Sequence, residues 1–229
     1  YDSGRDGPAM ATCILIPAYN AVATLRAVLD ECLAFTMPLV VVDDGSTDGT
    51  AQTLDGLPVT LLTHTVNRGK GAALKTGFDW IMQHQYDGVV TLDADGQHDP
   101  SAIPRLLAEV DKKGYDCLLA SRHSQFEEMA GLRKVWNRFG VWCIRKRTGF
   151  EITDSQSGFR YYRASLLRAV KLEKNGYDLE MELLVKGWKA GFTIGSLPVP
   201  ARVADGRATS HYRPVQDTWN ICMTFLKYM

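Results

Sequence analysis

Two carboxylates stand at i and i+2 in Asp93-Ala94-Asp95-Gly96-Gln97, directly after the apolar run Val89-Val90-Thr91-Leu92. Residues two apart at the end of a strand point to one side. Asp93 and Asp95 therefore offer hard oxygen ligands to a divalent metal such as Mg²⁺ or Mn²⁺, and the Gln97 amide oxygen is placed to add a third. The phosphates of a nucleoside diphosphate would complete such a coordination shell. The same residues have a plainer use, because Asp95 or Asp99 can cap a helix that opens at Pro100. Calcium loops are excluded by context. Asp44-x-Ser46-x-Asp48-Gly49 follows a strand rather than a helix and carries Asp55 at its twelfth place, while the run from Asp93 has Gly96 at the fourth place and Pro104 at the twelfth.

The elements that must position these carboxylates alternate regularly. Short β-branched runs (Cys13 to Ile16, Leu39 to Val42, Val59 to Leu62, the run ending at Asp93, Cys117 to Ala120) are separated by helical patterns at Ala21 to Ala34, near Thr50, Lys70 to Gln85 and Pro100 to Lys113. Leu74, Phe78, Ile81 and Met82 fall on one face of the third helical pattern. The βα series predicts an α/β fold with a mostly parallel, doubly wound sheet flanked by helices, in which ligands bind beyond the carboxyl ends of the strands. Polar motifs sit at those ends: Pro17-Ala18-Tyr19-Asn20, Asp43 to Asp48, Asp93 to Gln97, and Ser121-Arg122. No G-x-G-x-x-G follows the first strand and no G-x-x-x-x-G-K-[ST] occurs, which disfavours dinucleotide and phosphate-loop folds.

With 229 residues, 45% of them hydrophobic, the chain can bury one large core. Its 26 basic and 26 acidic residues balance, which argues against a general nucleic-acid binder. Five cysteines without a C-x-x-C pair suggest neither a disulfide framework nor a zinc site. Reduced thiols and a cytoplasmic location are expected. No apolar run approaches the roughly 18 residues that a membrane span needs. Residues 1–9 read as a disordered leader or vector-derived remnant, and residues 10–229 as one domain.

Ile16-Pro17-Ala18-Tyr19-Asn20, Val41-Val42-Asp43-Asp44-Gly45-Ser46-Thr47-Asp48-Gly49-Thr50, Asn67-Arg68-Gly69-Lys70-Gly71 and Leu92-Asp93-Ala94-Asp95-Gly96-Gln97 resemble the inverting family 2 glycosyltransferases of GT-A fold. Ser121-Arg122, Asn137-Arg138, Asp154 to Arg160 and the segment from Arg202 to His211 are similar to the polyprenyl-phosphate hexosyltransferases, such as dolichol-phosphate mannose synthase. The resemblance implies a nucleotide-sugar half over about 10–122 and an acceptor half over about 123–229. It implies that Pro17, Tyr19 and Asp44 contact the nucleoside, with Asn20, Val42, Lys70 and Ala94 in the same substrate-binding set. Asp93, Asp95 and Gln97 would bind Mg²⁺ or Mn²⁺, and Arg122, Arg138, Arg160, Arg202 and either Arg207 or His211 would grip phosphates. Ala21 stands where many members carry a Glu, which leaves the base of the donor, GDP-mannose or a UDP-hexose, open.

A leaving nucleoside diphosphate develops negative charge, so a metal and cations such as Arg122 would stabilise the transition state where that charge appears. A polyprenyl phosphate is already ionised near pH 7 and needs no strong general base, so Asp154 would orient the acceptor or Arg160. With a saccharide or protein hydroxyl as acceptor, Asp154 becomes the general base. A non-catalytic nucleotide-sugar-binding subunit is the third reading. Leu132, Val135, Trp136, Phe139, Trp142 and Cys143 follow helical spacing between Arg133, Lys134, Arg138, Arg145, Lys146 and Arg147, a pattern that suits the cytoplasmic face of an anionic membrane. Trp219, Cys222, Met223, Phe225 and Leu226 form a second apolar face.

Overall fold

Strand β1 (Thr12–Ala18) is buried at every position, as befits a parallel strand covered on both faces. The computed structural model describes residues 11–121, 145–146, 148–150, 157–200 and 213–229. Beside β1 lie β2 (Leu39–Asp43), β3 (Thr60–Thr63), β4 (Gly88–Thr91), β5 (Cys117–Ser121), β6 (Arg160–Arg163) and β7 (Ile194–Pro198). Among the described residues they form one seven-stranded sheet in the order β3-β2-β1-β4-β6-β5-β7. The pairs β1–β2, β1–β4, β2–β3 and β5–β7 are parallel, and β6 runs antiparallel to both of its neighbours. The expected mostly parallel sheet is therefore present, with one reversed strand in its interior.

Alternation along the strands builds two cores. Ile14, Ile16, Val41, Val90 and Leu118 meet helices α1 (Leu25–Cys32) and α3 (Ile103–Lys113) on one face of the sheet. Cys13, Leu15, Val40, Val42 and Val89 meet α2 (Lys70–Gln83), α4 (Ala164–Ala169), α5 (Leu179–Lys189) and α6 (Pro214–Tyr228) on the other. Within α2, Leu74, Phe78 and Ile81 are buried, as their spacing requires. On α6, Ile221 faces inward while Trp219, Met223 and Leu226 remain exposed, so the apolar face read from the sequence is divided between core and solvent.

Two element boundaries differ from the sequence reading for local reasons. Helix α1 starts four residues later than the periodicity suggests, because the backbone N–H groups of Asn20, Ala21 and Val22 donate to Ser46 Oγ, Thr50 Oγ1 and Asp48 Oδ2 rather than opening a helix. Pro100–Ala102 form a 3₁₀ turn before α3, and Asp99 caps it by accepting a hydrogen bond from Ser101 N at 3.0 Å. Asp99, not Asp95, thus takes the capping role, which leaves Asp95 to the site. Cys13, Cys32 and Cys117 are free thiols, and burial pushes them up to about 12. They are inert core residues.

Strand β6 decides what stands beside the Asp93 carboxylate. Its antiparallel register pairs Thr91 with Arg160, so the start of β6 lies at the carboxyl end of β4. Thr91 Oγ1 ties the two by donating to the Gly158 carbonyl at 2.9 Å. Residues 157–160 are thereby delivered to the edge where β1, β2 and β4 end.

Candidate active site

Strand β1 has β2 on one side and β4 on the other, and its carboxyl end is a switch point where ligands bind in open α/β sheets. A cavity of about 470 Å³ opens there, of a size that accommodates a small organic ligand. Pro17, Ala18 and Tyr19 at the end of β1, Asp44 after β2 and Asp93, Ala94 and Asp95 after β4 line it. Asn67, Gly69 and Lys70 bring the N-terminus of α2 to it, and Gly176, Tyr177, Arg213 and Asp217 line it as well. A helix N-terminus directed at such a cavity favours anions.

The charged groups form a connected chain. Lys70 Nζ lies 2.6 Å from Asp93 Oδ1 and 3.3 Å from Glu180 Oε2. Glu180 Oε1 lies 3.7 Å from Arg160 Nε, and His98 Nε2 stands 3.2 Å from Asp93 Oδ2. Burial works against the charge on Lys70, but Asp93 and Glu180 outweigh it and lift the ammonium above its ordinary range. Burial also works against the charge on Asp93, yet the Lys70 ammonium and the His98 hydrogen bond hold that carboxyl well below the usual range. Asp95 shifts the other way. Burial and the adjacent Asp93 charge raise it, although its Oδ1 accepts a hydrogen bond from Gln97 N at 3.0 Å. The two carboxylates of the motif are thus unlike: Lys70 and His98 favour the charged form of Asp93, whereas burial and the Asp93 charge disfavour that of Asp95.

Close packing fixes Asp93 as well as charge does. A Cβ added at Gly158 would stand 2.2 Å from Asp93 Oδ2, so the carboxylate occupies the space that any other residue at 158 would fill.

Of the residues predicted from sequence, Pro17, Tyr19, Asp44, Lys70, Asp93, Ala94 and Asp95 line one cavity. Asp44 also organises the approach to α2: its Oδ1 accepts from Arg68 N at 2.9 Å and meets His64 Nδ1 at 2.6 Å, while Oδ2 accepts from Gly69 N at 2.7 Å. His64 in turn bonds Thr76 Oγ1 at 2.9 Å. Asn20 Oδ1 accepts a hydrogen bond from Thr47 N at 2.9 Å. Two expectations need correction. Val42 is fully buried in β2, on the face that packs against α2. Arg160 is fully buried, with Nε donating to the Ser157 carbonyl at 2.6 Å, so it supports Glu180 rather than touching a substrate phosphate. Gln97 is not among the residues that line the cavity, and its backbone N donates to Asp95 Oδ1.

Arg122, Arg138, Asp154, Arg202, Arg207 and His211 lie outside the described residues, as does the basic aromatic segment 132–147 apart from Arg145 and Lys146. The sequence reading missed His98, although its place five residues after Asp93 was a legible signal. It also missed Tyr177, Arg213 and Asp217, for which no local pattern existed. The pairing with Lys70 assigns Glu180 to the site as well.

Among the described residues no three His, Cys, Asp or Glu side chains converge on a ready-made metal cage. The donor set nevertheless fits a hard divalent cation that takes part of its shell from a ligand. Asp95 is a hard oxygen donor at the cavity wall, beside a second carboxylate.

The family model for glycosyl transferase family 2 matches residues 13–174. An undecaprenyl-phosphate mannosyltransferase of Micrococcus luteus is 33% identical over 204 residues, covering 83% of this chain and 83% of that protein. A polyprenol monophosphomannose synthase of Mycolicibacterium smegmatis is 31% identical over 206 residues, covering 84% of this chain and 77% of that protein. Among solved structures, glucosyl-3-phosphoglycerate synthase from Mycobacterium tuberculosis superposes with a TM-score of 0.75 at 21% identity, covering 96% of this chain and 80% of that one. At that identity the likeness concerns the fold, which is the expected GT-A architecture. Crystals of the same synthase hold Mn²⁺ with UDP-glucose and Mg²⁺ with UDP.

Proposed function

The chain belongs to glycosyl transferase family 2, and from that membership we propose that it transfers a hexose from a nucleotide sugar to a polyprenyl phosphate at a membrane surface. The observation that carries the donor half of this reading is the juxtaposition of Lys70, Asp93 and Asp95 on one cavity wall at the end of β4. The acceptor half rests on similarity to the Micrococcus and Mycolicibacterium proteins.

Asp95, with Asp93 and Gln97, would hold Mg²⁺ or Mn²⁺, which supplies Lewis-acid stabilisation to a departing nucleoside diphosphate. Pro17, Tyr19 and Asp44 form the nucleoside end of the cavity, and Lys70 brings a fixed positive charge to its phosphate end. Arg213 adds a cation to the cavity wall. An ionised phosphate acceptor attacks the anomeric carbon in line and needs no base, so Asp154 serves to orient it, and Arg122, Arg138, Arg202 and Arg207 or His211 balance phosphate charge. The membrane is approached by α6. Its exposed Trp219, Met223 and Leu226 follow helical spacing, and the first turn of the helix lines the cavity at Asp217. Among the described residues no helix is long and apolar enough to cross a membrane.

The test is transfer of radiolabelled sugar into the organic phase, with GDP-mannose and UDP-glucose supplied separately alongside a polyprenyl phosphate and Mn²⁺ or Mg²⁺. Label in lipid that disappears with chelator and with a folded Asp95→Asn variant is the expected result. Donor binding without lipid product, combined with transfer to a soluble hydroxyl that Asp154→Asn abolishes, overturns the lipid assignment.

A further inference from the structure

The first turns of α5 carry two buried carboxylates that point to different tasks. Glu180 meets Lys70, whereas Glu182 is fully buried and faces the segment 171–176, which is itself neither helix nor strand. Both Glu182 oxygens accept from Glu173 N at 3.0 Å, and Oε2 also accepts from Lys174 N at 2.9 Å. Lys186 Nζ donates to Glu182 Oε1 at 2.6 Å and to the Lys171 carbonyl at 2.6 Å. One side chain thus supplies the hydrogen bonds that a strand partner would otherwise give.

The far end of this segment presses on α2. Ala72 N donates to the Asn175 carbonyl at 3.1 Å, and Lys75 Nζ to Asn175 Oδ1 at 2.5 Å. A Cβ at either Gly69 or Gly71 would stand 2.6 Å from Asn175 backbone atoms, so the two backbones touch directly. Just beyond, Gly176 and Tyr177 form cavity wall, and the Tyr177 ring centroid lies 5.5 Å from Lys70 Nζ.

We infer that Glu182 is a positioning residue for the donor site: it clamps the segment 171–176 against the N-terminus of α2 and so sets the wall made by Gly176 and Tyr177. The inference rests on the reading of this cavity as a nucleotide-sugar site. Glu182→Gln keeps the volume but replaces one acceptor oxygen by a donor and removes the charge. Amide exchange of the wild type and the variant is compared at residues 173–177, with UDP and GDP affinity and the steady-state constants measured on the same samples. Losing a charged hydrogen-bond acceptor is worth about tenfold. Exchange at Glu173 and Lys174 should therefore rise by about that factor, with Kd and KM for the nucleotide rising likewise while kcat stays within about twofold. Lys186→Met removes one donor and leaves the carboxylate, and it gives the same pattern at about threefold. Faster exchange with unchanged Kd and KM, or unchanged exchange in a folded variant, overturns the inference. A wild-type protein that binds neither nucleotide instead refutes the donor-site reading on which it stands.

Discussion

Replacing Gly158 by alanine adds one methyl group at the most confined point of the site. Its Cβ would lie 2.2 Å from Asp93 Oδ2 and 2.5 Å from Cγ and Oδ1, and ordinary contact begins near 3.4 Å, so the carboxylate must retreat by about 1.2 Å. It cannot do so freely, because Lys70 holds Oδ1 at 2.6 Å and His98 holds Oδ2 at 3.2 Å. The backbone at Gly158 cannot yield cheaply either, since its carbonyl accepts the buried Thr91 hydroxyl at 2.9 Å. A displacement of this order at a catalytic group costs about 100-fold, equivalent to about 2.7 kcal/mol of transition-state stabilisation. Overpacking adds a global destabilisation of about 1–3 kcal/mol. The assay is kcat/KM for sugar transfer well below the melting temperature, beside a melting curve that establishes folding. A folded Gly158→Ala protein with wild-type kcat/KM would refute the idea that Asp93 must be held where it is.

Arg160→Met leaves the buried Glu180 without its second cation and the Ser157 carbonyl without its donor, which should destabilise the protein by about 3–5 kcal/mol. Calorimetry should show Tm falling by on the order of 10 °C, and a Tm within about 3 °C of wild type would count against the network. Acid should loosen α6. The Tyr228 hydroxyl donates to Glu173 at 2.6 Å with Lys186 nearby, and together they hold the Glu173 carboxyl down at about 2 against its ordinary 4.5. The contribution of that depressed group is complete above pH 4.5 and is lost as the pH falls toward 2. Amide exchange over residues 214–229 should therefore accelerate across that window in the wild type, and Glu173→Gln should remove the pH-dependent part. Equal pH dependence in both proteins would show that Glu173 does not anchor the helix.

Much of the site could be read along the chain because each motif is a strand followed by its own turn. The spacing of Asp93 and Asp95, the apolar run before them and the helix beginning at Lys70 are local facts, and the cavity brings them together as the parallel sheet demands. Val42 was misassigned for the same reason in reverse. A motif names consecutive residues, whereas strand alternation turns Val42 into the core.

Residue type and order determined by themselves the α/β class, the family resemblance and a polar edge with two carboxylates at its centre, since periodicity and turn chemistry act over a few neighbouring residues. Only the tertiary structure decided that β6 runs backwards between β4 and β5, bringing Gly158 and Arg160 to Asp93 and Glu180. It also decided that Lys70 meets Asp93 directly, at 2.6 Å. Those outcomes depend on contacts between residues far apart in the chain. Lys70 and Glu180 are 110 positions apart, and no local pattern carries the electrostatic balance that their meeting creates.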